Sequence, residues 1–137
     1  MKLDPSAFVA DPDLIQALEK HSITISCGVD HVLFSQGDPP VGLYILNKGE
    51  VTLTMTSPGG VAVHACQVAP GSLLGLPGLV ADMPYTLTAT AHNGAQLSFL
   101  TRDNFNSLMQ HDPPLSLKVL QVLAAEVRSA RNAIRDL

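Results

Sequence analysis

A single mainly-β domain with helices at both ends is the fold class this sequence predicts, and three observations predict it. The chain of 137 residues is long enough for one sizeable core and short for two domains. From about Ser22 to Leu100 the apolar residues alternate with a period of two, in short runs separated by turn signals, the pattern of an antiparallel roll or barrel. On either side the period lengthens to that of a helix.

The elements follow in order. "DPDLIQALEKH" begins with Asp11 as an N-cap and Pro12 at the first helical position, and Leu14, Ile15 and Leu18 lie on one face. "ITISC", "HVLFSQGD", "GLYILNKGE", "VTLTMTS", "VAVHACQVA", "YTLTATA" and "AQLSFL" read as strands, divided by the turns "NKGE", "SPGG", "APGS" and "HNGA". The roll is thus expected over about residues 22–100. A short helix over about 102–110 is capped by Thr101, carries Asp103 in its first turn and ends at Pro113 and Pro114.

A long helix then spans about 115–137. Leu120, Leu123, Val127, Ala130, Ile134 and Leu137 recur at alternating spacings of three and four, the a/d seam of a coiled coil, and predict a homodimer. With Leu120 at a, Glu126 falls at g and Arg131 at the following e, the spacing that pairs opposite charges between parallel helices. A second edge, Leu115, Val119 and Val122, is placed to pack on the roll. Burial of the whole apolar surface within one domain is the alternative to the dimer.

Composition narrows the function. The chain is 46% hydrophobic and 15% charged with a net charge of −4, a poor surface for a polyanion. The acids and prolines of "MKLDPSAFVADPDL" do not fit a secretory signal, and no apolar run reaches the ~18 residues of a membrane span, so a cytoplasmic protein is expected. Cys27 and Cys66 form no C-x-x-C pair and read as buried thiols. No metal site is expected. The sequence holds no G-x-S-x-G, H-E-x-x-H or Walker loop, and Glu19, Glu50 and Glu126 stand in separate elements, so no enzyme is predicted.

The order of elements, together with "FSQGDPPVGLYILNKGEVTL" and "APGSLLGLPGLVADMPYTLTATA", resembles the cyclic-nucleotide-binding domain of the Crp/Fnr family of bacterial transcription regulators. The resemblance covers about residues 10–137 and implies a jelly-roll-like β-roll with a C-terminal dimerisation helix, its strands turned at Gly37, Gly49 and Gly71. It implies a cyclic nucleotide as effector, held by a cassette G-E-L/I-A/G with R-T/S-A about ten residues on. Set on Gly71, that pattern places Ser72 at the glutamate and Leu73 at the aliphatic position, and Tyr85 and Thr86 fall on the arginine and its neighbour.

No Lys or Arg lies between Lys48 and Arg102. Loss of the arginine alone is expected to weaken a phosphate ligand by roughly ten- to two-hundred-fold. The groups left to hold a ligand are Gly71, Ser72, Leu73 and Leu74, through backbone N–H groups and the serine hydroxyl, with the hydroxyls of Tyr85, Thr86 and Thr88. Ordinary strand chemistry is the other reading of Tyr85 and the threonines.

The expected function is therefore a ligand-sensing, dimerising regulatory domain with an unidentified small-molecule effector and poor affinity for cyclic AMP. A structural or protein-interaction module with a self-filled pocket is one alternative. A haem sensor, with His64 beside Cys66 on a strand, is another. In the family a helix-turn-helix domain follows the long helix and reads DNA. Here the chain is expected to lack it, as part of a longer regulator or as a stand-alone sensor. Arg128, Arg131 and Arg135 suit the C-terminal end of a helix dipole without any DNA contact.

Overall fold

The computed structural model describes residues 3–57 and 59–135, and the side chains of all of these except 62–65 and 134. An N-terminal 3-10 turn, Pro5–Phe8, is capped by the Asp4 carboxylate, which accepts from Ser6 N at 3.0 Å, and it buries Phe8. Helix α1, Pro12–Glu19, begins as its sequence dictates: Asp11 Oδ1 accepts from Leu14 N at 2.8 Å, and Leu14 and Leu18 are buried.

Eight strands form two antiparallel four-stranded sheets. They are β1 (Ile23–Ser26), β2 (His31–Phe34), β3 (Gly42–Lys48), β4 (Val51–Thr56), β5 (Ala62–Val68), β6 (Leu73–Leu74), β7 (Thr88–Ala91) and β8 (Gln96–Thr101). One sheet runs β1-β8-β3-β6 and the other β2-β7-β4-β5. Gly37, Gly49 and Gly71 all have positive φ at turns. At Gly49 a Cβ would also lie 2.8 Å from the Ala95 Cα, so neither the conformation nor the space admits a side chain.

Two differences from the sequence pattern matter for the site. "LLGLPGLV" is apolar without a period, and it folds as the two-residue strand β6 followed by a six-residue helix α2, Leu76–Ala81. Tyr85–Leu87 is loop rather than strand, so β7 starts only at Thr88.

Two apolar clusters share β3. Tyr44 and Leu46 face the interior of the roll with Phe34, Leu53, Leu74, Tyr85 and Leu97. Leu43 and Ile45 face outward onto Leu14, Leu18, Leu100 and Phe105 and the helices beyond. Alternation along one strand therefore binds roll and helices into one body.

Helix α3, Arg102–His111, is capped by Thr101, whose hydroxyl accepts from Asn104 N at 3.2 Å. The two prolines both end one helix and open the next. Helix α4, Pro113–Arg135, starts at Pro113, and the Asp112 carboxylate accepts from Leu115 N at 3.1 Å. Leu115, Val119 and Val122 are buried against α1, α3 and the first sheet.

On the seam, Leu120 and Val127 are 48% and 51% exposed, and Leu123 and Ala130 are half-buried against the domain. The side chain of Ile134 and all of Leu137 lie outside the described residues. Glu126 corrects the pairing expected with Arg131. It does not point outward at a g position but is buried beneath α4, on the stripe that continues from Val119 and Val122 through Ser129 and Ala133.

Candidate functional site

The interior of the roll keeps a cavity of about 20 Å³, room for roughly one water. Phe8, Phe34, Leu53 and Leu74 wall it on the roll side. The start of α2 contributes Gly75, Pro77 and Gly78, the loop after α2 contributes Tyr85, Thr86 and Leu87, and α4 contributes Glu126. Among these described residues none is a Lys or Arg.

Tyr85 is locked at every point. Its hydroxyl accepts from Val41 N at 3.0 Å and Gly42 N at 3.2 Å and donates to Gly42 O at 2.8 Å. Its ring stacks on Phe34 with centroids 4.0 Å apart. Backbone bonds hold it as well, from Tyr85 N to Asp38 O and from Gly37 N to Tyr85 O. On the other side of the ring stands Gly75, with φ +90°, where a Cβ would lie 2.8 Å from the ring edge. Only glycine fits there.

The residues singled out in sequence divide between the cavity and elsewhere. Leu74, Tyr85 and Thr86 line it. Leu73 points the other way, into the helical cluster. Ser72 is fully buried in the turn before β6, and its hydroxyl donates to Ala69 O at 2.7 Å. The backbone of Gly71 is bonded to Leu46 and Ala10. Thr88 accepts from Gln36 N at 2.9 Å on the outside of the roll.

Gly71 and Ser72 thus lie in the turn before β6, four residues ahead of the short helix. The glycine that enters the short helix is Gly75, with Leu76 at the first helical position, and Tyr85 stands ten residues after Gly75.

Sequence reasoning missed Glu126 and Phe8. Glu126 is 6% exposed, and its Oε1 is buried with no hydrogen-bond partner among the described residues. Burial pushes its carboxyl up to about 8. A signal was present, because Glu126 follows Val122 by four and Val119 by seven, the spacing of one helix face. Phe8 carried none, since nothing around it has a period.

For the haem reading, Cys66 is buried and its thiol is pushed up to about 11 by that burial. The side chain of His64 lies outside the described residues, and the β4–β5 pairing is bulged between the two positions. Among the described residues no three His, Cys, Asp or Glu side chains gather as a metal site, and no helix is long and apolar enough to cross a membrane.

A family model for the cyclic nucleotide-binding domain matches residues 26–112. The chain belongs to the cyclic nucleotide-binding domain family. Among relatives of this domain is the CRP-like cAMP-activated global transcriptional regulator of Mycobacterium tuberculosis, 28% identical over 127 residues, which are 93% of this chain and 57% of that protein. The chain thus spans little more than half the length of that regulator. Among solved structures, the Thermus thermophilus catabolite activator protein superposes with a TM-score of 0.79 at 23% identity, over 96% of this chain and 62% of that one. The N-terminal domain of a Streptomyces coelicolor transcriptional regulator gives a TM-score of 0.67 at 26% identity, over 96% and 92%. Both carry the same roll and long helix as this cyclic nucleotide-binding domain.

Proposed function

We propose that this domain is the effector-sensing part of a Crp/Fnr-type transcription regulator, non-enzymatic, dimeric through α4, and weak for cyclic AMP. One observation carries the sensing role: Glu126, on α4, lines the cavity of the roll and has a buried Oε1 without a partner among the described residues. A purely structural interior has no use for such a group, whose burial costs several kcal/mol. Here it joins the pocket to the helix that would report on it. In this reading a ligand that engages Glu126 favours one position of that helix over another. DNA contact would belong to a separate domain of the regulator.

Weak affinity for a cyclic phosphate follows from the walls. The position expected for a cation holds Tyr85, whose hydroxyl is already bonded to β3. Calorimetric titration with cyclic AMP and cyclic GMP at low salt is expected to give heat only near millimolar ligand. Micromolar binding would mean that backbone donors do most of the holding.

The single-water volume of the cavity favours a second reading, a protein-interaction module filled by its own side chains. Amide exchange along α4 separates the two, because a sensor changes its protection with ligand and a filled module does not. For the dimer, Val127→Asp is the clean probe, since Val127 is 51% exposed and Leu123 also packs on the domain. Light scattering should show a folded monomer. A dimer that survives the substitution would rule out the seam.

A further inference from the structure

We propose that Glu126 sets the ligand class of the cavity, anchoring a neutral ring compound that presents hydroxyl donors, of the nucleoside type, and disfavouring one that carries a phosphate. The proposal rests on the sensor reading above and deepens it. Glu126 Oε1 is the one buried side-chain polar atom without a partner among the described residues. An acceptor left unsatisfied costs roughly 1–3 kcal/mol, which a ligand donor would recover by displacing the single water the cavity has room for. Phe8, Phe34 and Tyr85 line the same cavity; because Phe34 and Tyr85 are stacked on each other, an entering ring packs on Phe8 and on the edges of that pair.

Charge then discriminates. A ligand hydroxyl satisfies Glu126 in either protonation state, donating to a carboxylate or accepting from a carboxyl. Phosphate oxygens only accept, so they meet repulsion from the ionised form and a single neutral donor from the protonated one. No Lys or Arg among the described cavity residues offsets this. The Tyr85 O–H, the nearest substitute, already donates to Gly42 O.

Adenosine and cyclic AMP are the probes: they share base and ribose ring, while the cyclic phosphate adds a charge and takes up the 3′ and 5′ hydroxyls, leaving only the 2′ hydroxyl as a sugar donor. Because the cavity holds about one water, entry draws on an opened minority state, and affinity should be read between about 0.1 and 5 mM. Calorimetry on the full chain is expected to show adenosine binding at least about tenfold more tightly than cyclic AMP. Glu126→Gln, which keeps an acceptor and adds a donor, should hold adenosine within about threefold, and Glu126→Leu should lose about tenfold or more. Melts and amide spectra establish that both variants are folded. Three results overturn the proposal. Cyclic AMP binding more tightly than adenosine removes the charge selection and leaves the sensor standing. Unchanged adenosine affinity in Glu126→Leu removes the anchor. Silence with adenosine removes the nucleoside class, and silence with both ligands removes nucleotide sensing as well.

Discussion

Thermal unfolding followed from pH 5 to pH 8 is expected to show a midpoint that falls steadily as pH rises, with the slope abolished in Glu126→Gln. In the folded protein the Glu126 carboxyl keeps its proton up to about pH 8, whereas in the unfolded chain it releases it near the ordinary value of 4.5. Between those values the folded state binds more protons, so raising the pH favours unfolding. The stabilisation is complete below the unfolded value, is lost on the way to the folded one and changes no further above it. The span sets a ceiling of about 5 kcal/mol, which relaxation of α4 and entry of water would reduce. For a domain of this size each kcal/mol moves the midpoint by about 3–5 °C, so a fall of about 10 °C is within reach. Tyr85 is the other titratable residue on the cavity wall, and the raised thiol of Cys66 titrates above this window. A Gln variant with the wild-type slope would place the titrating group elsewhere.

Tyr85→Ala should be among the most damaging single substitutions in the roll, costing about 3–5 kcal/mol in urea unfolding. It removes a ring that is 2% exposed and stacked on Phe34, and it leaves the buried Gly42 N–H without the oxygen that now accepts it. Tyr85→Phe separates the two contributions. It keeps the ring and deletes only the hydroxyl, and should cost about 1–3 kcal/mol. If it proves neutral, the hydroxyl is not what ties this loop to β3.

The two halves of this picture differ in how far they can be read in sequence. The strands of the roll and the caps at Asp11 and Thr101 are legible because each has a local cause, a period of two or an oxygen three residues before an orphan N–H. Helix α2 is not, because an unbroken apolar run fits helix and strand equally and Gly71 and Gly75 look alike until the chain is folded. Around α4 both stripes are visible, one through Leu120 and Val127 and one through Val119 and Val122. Charge argued that Glu126 belonged outside. Phase put it inside, seven residues after Val119, and on a helix phase is the firmer constraint.

Helices α3 and α4 meet at a single residue, and their joint is stiff. Asp112 donates its N–H to Leu108 O at 3.0 Å and caps Leu115 N with its carboxylate, and Ser116 Oγ reaches back to Met109 O at 2.6 Å. Of these, the Ser116–Met109 bond crosses the joint, and bending there would stretch it at a cost of about 1 kcal/mol. At its other end α3 is joined to the end of α2 by the exposed ion pair of Arg102 with Asp82, a weak link beside the buried contacts of α4. The two longer helices thus form an elbow tied on both sides of Asp112, and any change in their angle has first to stretch the Ser116–Met109 bond.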